Sequence, residues 1–111
     1  MLNQPFSPAF EQTEAVTVSD VQTTIQINLN SKQVRVLNPN AFPVFVRTSP
    51  SPGTAAVAAA GTTLGDYPIG PDSSEVFTKA DGHGAISLIT TGANTGTVYV
   101  TPGDGYQSAA A

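Results

Sequence analysis

The stretch that decides the fold runs from Ser74 to Thr101 and reads SEVFTKADGHGAISLITTGANTGTVYVT. Within it, three short runs of alternating apolar and polar residues are separated by glycine-rich turns. Alternation with a period of two indicates a half-buried β-strand, and Asp81-Gly82 is a strong hairpin dipeptide. We therefore expect an antiparallel meander of three strands. The predicted strands are Ser74 to Ala80, Ala85 to Thr90 and Thr97 to Thr101.

The same period of two continues upstream of this stretch. It predicts a strand at Val16 and Val18, then a hairpin whose strands are Ile25 to Leu29 and Gln33 to Val36. A further strand is predicted from Phe42 to Thr48, with Pro43 tolerated only because it lies at the start of the strand or on a sheet edge. The remaining segment, Ser49 to Gly65, is rich in Ser, Pro and Ala, and we expect a loop with at most one short strand or helical turn.

The sum is an all-β chain of seven to eight short strands with no convincing amphipathic helix. This pattern predicts an all-β sandwich or small barrel, and we expect a small antiparallel β-sandwich, jelly-roll-like, with an irregular N-terminal arm. A chain of 111 residues has room for one core only. We expect an extended arm over residues 1–14, the sandwich over 15–105 and a small-residue tail over 106–111.

The predicted arm carries three large apolar side chains in a segment that Pro5 and Pro8 keep from folding regularly. Those side chains are Leu2, Phe6 and Phe10. Burying one Phe is worth about 1.5–3 kcal/mol, so we expect them to be covered. Two alternatives remain for what buries them. A neighbouring protein can do so, in which case the three residues are anchors, or the chain's own core can, in which case the phenylalanines form a lid on it.

The composition excludes several classes of function. The net charge is −4, with four basic residues against eight acidic ones, and this argues against a protein that binds nucleic acid through phosphates. Thr and Ser contribute 23 residues, so the surface is made polar mainly by hydroxyl groups. Cysteine is absent, which excludes disulfides and thiolate chemistry. No apolar run approaches the length of a membrane-spanning helix, and the N-terminal residues do not have the pattern of an export signal.

The search for catalytic, cofactor or metal residues predicts none. His83 lies in Asp81-Gly82-His83-Gly84, where the glycines indicate a turn rather than a rigid mount for a general base. Four aspartates also lie beside Gly or Pro in predicted turns, where Asp commonly caps the backbone, and none has the spacing of a calcium loop. They are Asp66, Asp72, Asp81 and Asp104. We therefore predict a protein that is not an enzyme.

A carbohydrate-binding face is the alternative, because it needs only a few exposed aromatic rings and amides. The candidate rings are those of Tyr99 and Tyr106. The candidate polar partners are Gln26, Asn28 and Gln33. Trp, a frequent platform for sugars, is absent, and Tyr99 lies opposite in phase to Val98 and Val100 and so can simply cover the outer face of a sheet.

Five consecutive features carry a resemblance to a known class of protein. They are a strand pair ending in Asn, a Val-Phe-Val-Arg strand, a loop rich in Gly, Ser, Thr and Ala, a Pro-Ile-Gly-Pro turn, and a close through Gly-Thr-Val-Tyr-Val-Thr-Pro-Gly-Asp-Gly. In this chain they occupy Gln33 to Asn38, Pro43 to Thr48, Ser49 to Thr63, Asp66 to Phe77, and Ile86 to Gly105. This pattern resembles small β-sandwich structural proteins of tailed bacteriophages. It is most similar to the capsid decoration, or cement, proteins of short-tailed phages.

The resemblance implies a structural virion protein without catalysis. Such a protein is made in the cytoplasm of the host bacterium and binds the major capsid protein on the exterior of the shell. It stabilises the shell across capsomer boundaries, as a dimer or trimer, against the pressure of packaged DNA. Arg35 and Arg47, two of the four basic residues, fall on the polar phase of their strands, and we expect them to contact an acidic partner surface.

Overall fold

The computed structural model describes residues 7–8, 11–27, 31–51, 55–62 and 64–104. These residues form an all-β fold, as predicted, with nine strands where the sequence predicts seven to eight, and the first strand is only two residues long. The strands are β1 (Ser7–Pro8), β2 (Glu14–Val18), β3 (Thr23–Gln26), β4 (Gln33–Asn38), β5 (Val44–Ser49), β6 (Tyr67–Ile69), β7 (Ser73–Thr78), β8 (Ala85–Thr90) and β9 (Gly96–Asp104).

The strands form two antiparallel sheets. One, which we call the β9 sheet, has the order β1-β9-β4-β7, with β2 also paired to β9. The other, the β8 sheet, has the order β3-β8-β5-β6. The strand pairs β2 with β9, β3 with β8, β4 with β7 and β5 with β6 are those of one long hairpin wound into a roll. The fold is therefore a small β-sandwich with the topology of a jelly roll, as predicted.

Three of the predicted local pairings are wrong, two in the predicted meander and one in the predicted hairpin. The predicted meander does not form, because β7 and β9 belong to the β9 sheet while β8 lies in the β8 sheet. The predicted hairpin of residues 25–36 fails for the same reason, since β3 and β4 are in different sheets. The Asp81-Gly82 turn does form, with Gly82 at a φ of 82° and His83 N donating to Ala80 O at 3.1 Å. A turn reverses the chain, but only tertiary packing decides whether the next strand joins the same sheet.

The core lies between the two sheets and is made almost entirely of β-branched residues. Side chains alternate along each strand, so every second residue points inward. The fully packed cluster consists of Val16, Val18, Val34, Val36, Val44, Val46, Ile69, Ile86, Leu88, Val98 and Val100. Partly buried Ile25, Ile27, Phe42 and Phe77 close its margins.

A buried asparagine organises one end of the core. The amide nitrogen of Asn38 donates to Phe42 O at 2.8 Å and to Gly70 O at 3.0 Å. Its oxygen accepts from the side chain of Asn40 at 2.9 Å, and that side chain donates in turn to Thr97 O at 2.9 Å. Because Asn38 is completely buried, these bonds satisfy polar groups that water cannot reach. They connect the β4–β5 turn to residues beside β6 and β9.

The C-terminal strand is longer than the sequence predicts. A stop after Thr101 is expected from Pro102 and Gly103, but β9 continues to Asp104. On the side away from β4, β9 pairs first with β2, up to Val100, and then with β1, at Gly103 and Asp104. Pro102 therefore lies at the junction between two partner strands, where a missing backbone N–H is tolerated.

Candidate interaction face on the β9 sheet

The outer faces of the two sheets differ in how far they are covered. On the β8 sheet, outward-facing Phe45, Ser49 and Ser87 are buried, although they point away from the core. The segment that connects β5 to β6 is tied to this face, because Arg47 points outward from β5 and binds Asp66. Ala56, in the same segment, is also buried. The outer face of the β8 sheet is therefore covered around Phe45, Ser49 and Ser87, whereas Arg47 on β5 and Gln26 on β3 stay exposed.

The outer face of the β9 sheet is open. Its side chains alternate with core valines on β2, β9, β4 and β7, and the register of the strands places them side by side. We call this surface the open face. Among the described residues it consists of Ala15, Thr17, Gln33, Arg35, Leu37, Ser74, Val76, Thr78, Thr97, Tyr99 and Thr101.

Apolar side chains form a patch in the middle of the open face. Ala15, Tyr99 and Leu37 are direct neighbours across three strands. Val76 lies on β7, directly opposite Arg35 of β4. Tyr99 is 40% exposed and Val76 is 41% exposed, although both are large apolar side chains on strands. Such a patch, rimmed by threonines, is typical of a surface that contacts a partner.

Arg35 supplies the only described charge on the open face. It is exposed, and its Nη2 donates to Ser74 Oγ at 3.2 Å. This bond uses one of the five N–H donors of the guanidinium group. The bond to Ser74 also lays the side chain towards β7, where its methylene stem lies next to Val76. A group held in this way can bind a carboxylate without first having to be ordered.

The two predicted arginine contacts lie on opposite sides of the sandwich. Arg47 donates to Asp66 Oδ1 from Nε at 2.9 Å and from Nη2 at 2.8 Å. The second oxygen, Asp66 Oδ2, accepts from Val57 N at 2.7 Å. Arg47 thus holds the chain's own connecting segment, while Arg35 faces solvent on the open face. That Arg35 contacts a partner stays a prediction, whereas for Arg47 the pairing with Asp66 leads us to expect a role within the chain instead.

Comparison with models of known protein families, with curated protein sequences and with solved structures finds no match.

Three of the predicted anchors, Leu2, Phe6 and Phe10, lie outside the described residues. Within the predicted arm the structure does place Ser7 opposite Asp104 and Pro8 opposite Gly103, as strand β1. Part of the arm therefore pairs with the chain's own β9.

The residues proposed for sugar binding are not brought together. Tyr99 lies on the open face, but Gln26 belongs to β3 of the β8 sheet. Gln33 shares the open face, yet it lies four residues along β4 from Leu37, the neighbour of Tyr99, which is about 13 Å at the usual rise of a strand. Asn28 and Tyr106 lie outside the described residues.

Two titratable side chains, His83 and Lys79, lie near the β7–β8 turn and have identifiable surroundings. His83 Nδ1 lies 2.9 Å from Thr48 Oγ1, which joins the β7–β8 turn to β5. Burial lowers the pKa of Lys79, a shift that Asp81 opposes and Lys32 reinforces. In the part of the chain that the structure describes, no three His, Asp or Glu residues are grouped as metal ligands. The same part contains no helix long and apolar enough to cross a membrane.

Leu37 and Val76 are the face residues that sequence reasoning missed. A signal was available, because both lie on the phase that should be polar. Leu37 is out of phase with Val34 and Val36, and Val76 is out of phase with Phe77. Two apolar residues on the solvent phase of paired strands indicate a face that is covered by another part of the chain or by a binding partner.

Proposed function

We propose that this chain is a structural virion protein that binds the outer surface of an assembled phage capsid and stabilises it across capsomer boundaries. Its partner is the major capsid protein, it acts on the capsid exterior as a dimer or trimer, and it carries out no catalysis. It is made in the cytoplasm of the bacterial host.

The observation that carries the proposal is the open face of the β9 sheet. A decoration protein needs a stiff body with one surface left free for the shell. The sandwich supplies a body whose two sheets are joined by buried contacts, and the outer face of its β8 sheet is partly covered by buried Phe45, Ser49 and Ser87. The apolar patch with Tyr99 and Val76 is the surface left over. The resemblance of the chain to small phage β-sandwich proteins suggests that the partner is a capsid protein.

The test is reconstitution on shells that lack the chain. Shells with and without the purified full-length protein are compared for binding by co-sedimentation, then for resistance to heat and to a chelator. We expect the protein to pellet with the shells and to raise the temperature at which they open. Shells that are equally resistant without it would overturn the proposal.

The apolar anchors of the arm are tested in the same assay. The variant is a full-length chain in which Leu2, Phe6 and Phe10 are all changed to Ser, so that every described residue of the sandwich is kept. If the three side chains anchor the protein to the shell, this variant stays folded and loses binding. If they cover the protein's own core, the variant instead loses stability in urea, and its binding falls only as far as its folded fraction does.

The second candidate is a glycan-binding module of a phage tail or head fibre. The observation that favours it is the exposed ring of Tyr99, which lies between the hydroxyl-bearing residues Thr97 and Thr101 on the same strand face. Titration with a bacterial surface polysaccharide separates this candidate from the first. Binding by the wild type that is lost in Tyr99→Ala supports the glycan function, whereas a wild type that does not bind removes it.

A further inference from the structure

We propose that the open face is the docking surface of this protein and that its partner is an acidic protein surface, which places a carboxylate against Arg35 beside an apolar contact for Tyr99 and Val76. This inference rests on the proposed function and specifies the shell surface that the chain recognises.

The distribution of charge points to an acidic partner. The whole chain has a net charge of −4 and eight acidic residues. None of the open-face residues described above is acidic, and one is basic. Glu75, on the same strand as Val76, points to the opposite side of the β9 sheet. A face whose described residues carry one positive charge and no carboxylate, on a protein that is acidic as a whole, complements a negative surface.

The same distribution argues against a second copy of the chain as the occupant. A two-fold contact brings the same patch together from both copies. On the open face this would set Arg35 near the other copy's Arg35, with no acidic open-face residue to compensate. We therefore assign the open face to a different protein, and any oligomer of this chain uses another surface.

The patch around Arg35 contains the residue types that contribute most of the binding energy in protein interfaces. Tyr and Arg are enriched among the residues that dominate protein interfaces, and they act best where neighbouring contacts exclude water. Arg35 has two cross-strand neighbours, Val76 on β7 and Thr101 on β9. Tyr99 lies two residues along β9 from Thr101, on the same face. A partner that covers the patch removes water from around the guanidinium group, which strengthens a paired ion contact with a carboxylate.

Arg47 provides a matched control on the other side of the sandwich. Both side chains are arginines pointing outward from strands, and each variant Arg→Met removes one positive charge while keeping an apolar stem. Arg47 already pairs with Asp66, at 2.8 Å. A general effect of net charge would weaken binding equally in Arg35→Met and Arg47→Met.

The experiment measures affinity for shells prepared without the chain, by sedimentation at several salt concentrations. We expect Arg35→Met to weaken binding about tenfold or more, Arg35→Lys to weaken it less, and Arg47→Met to leave it unchanged. Tyr99→Ser is expected to weaken binding about tenfold. Added salt should weaken the wild type and have a smaller effect on Arg35→Met. Urea unfolding confirms that each variant is folded.

The outcomes distinguish this inference from the function on which it rests. A wild type that does not bind shells overturns both. A wild type that binds, with Arg35→Met and Tyr99→Ser binding equally well, overturns the open face alone and leaves the capsid function standing. A fall in the solution mass of the isolated chain in Tyr99→Ser would show that the face joins copies of this chain, and would overturn the acidic partner.

Discussion

Tyr67 donates a hydrogen bond from its phenol to Glu75 Oε1 at 2.7 Å, and this bond joins the two sheets of the sandwich at one edge. Tyr67 lies on β6, the edge strand of the β8 sheet, and Glu75 on β7, the edge strand of the β9 sheet. The Tyr67 ring also meets Phe77 edge-on, with centroids 6.1 Å apart. The pair closes this side of the roll, and a carboxylate on the inward phase of an edge strand discourages pairing with another chain.

The pKa of Tyr67 provides the first prediction. Its hydrogen bond to Glu75 raises that pKa above the ordinary value of 10.0, with smaller contributions from burial and from the negative charge of Glu75. Replacing the carboxylate in Glu75→Gln should therefore lower the pKa of Tyr67 towards its ordinary value. Phenolate absorbance during an alkaline titration measures the change, and a Tyr67→Phe variant identifies which of the three tyrosines is responsible.

The same shift predicts how stability depends on pH. A phenol whose pKa is higher in the folded state holds its proton more tightly there than in the unfolded state. Its contribution to stability is thus fully present below the unfolded value of about 10 and is lost as the pH rises through the folded value. Urea unfolding of the wild type should show this alkaline loss. A Tyr67→Phe protein that loses stability equally steeply would contradict the assignment.

Asp66 should matter more to stability than Arg47, its partner in the ion pair. Arg47→Ala removes a partly exposed ion pair, a loss of about 0.2–1 kcal/mol. Asp66→Ala also removes the acceptor of the Val57 N–H bond, so we expect a total of about 1–2 kcal/mol. Urea unfolding gives the two energies. Hydrogen exchange at the Val57 amide should accelerate in Asp66→Ala and stay near the wild-type rate in Arg47→Ala; equal effects of the two variants would contradict the shared carboxylate.

The buried amide of Asn38 should be among the most sensitive polar positions in the chain. Asn38→Ala leaves the carbonyls of Phe42 and Gly70 buried without their donor, and we expect a loss of about 2–4 kcal/mol of unfolding free energy. Asn94→Ala is the matched control, because Asn94 donates only to Thr91 O within one turn. Its loss should stay below about 1 kcal/mol. Urea unfolding that gives the two variants the same loss of unfolding free energy would contradict the structural role of the Asn38 hydrogen bonds.

A glycine in the β5–β6 connection is required by close packing. A Cβ at Gly65 would lie 2.6 Å from the Cα of Ala59, which is backbone and cannot move aside cheaply. We expect Gly65→Ala to cost about 1–3 kcal/mol. Gly70→Ala serves as the control, since its Cβ would meet only Ser73 Oγ, at 3.4 Å, and its effect should stay within about 0.5 kcal/mol. Thermal unfolding of both variants measures the difference.

The strands could be read from the sequence because burial on one side imposes a period of two. The prediction for β8, Ala85 to Thr90, matches the structure residue for residue, and that for β5, Phe42 to Thr48, begins two residues too early and ends one residue too early. Strand partners could not be read in the same way. Neighbouring strands in the chain, such as β7 and β8, were predicted to pair and instead lie in opposite sheets. Short turns serve both arrangements equally well, so the turn residues carry no information about the partner.

The candidate face was only partly predictable. Arg35 and Tyr99 stand out from the sequence because both lie on the solvent phase of a strand. That they share one face with Leu37 and Val76 follows from the pairing of β4 with both β9 and β7, which join segments far apart in the chain. That Arg47 is engaged with Asp66 follows from the path of the β5–β6 connection, which no period describes.

The sequence by itself determined that this protein is all-β with one core, because alternating valines and isoleucines give each strand one apolar face that must be buried, in a sandwich or a small barrel. It also determined the acidic, hydroxyl-rich character of the surface. Only the tertiary structure decided which outer face stays open. That choice depends on where the connection between β5 and β6 settles, and Arg47, Asp66 and Val57 hold it over the β8 sheet through contacts between residues well separated in the chain.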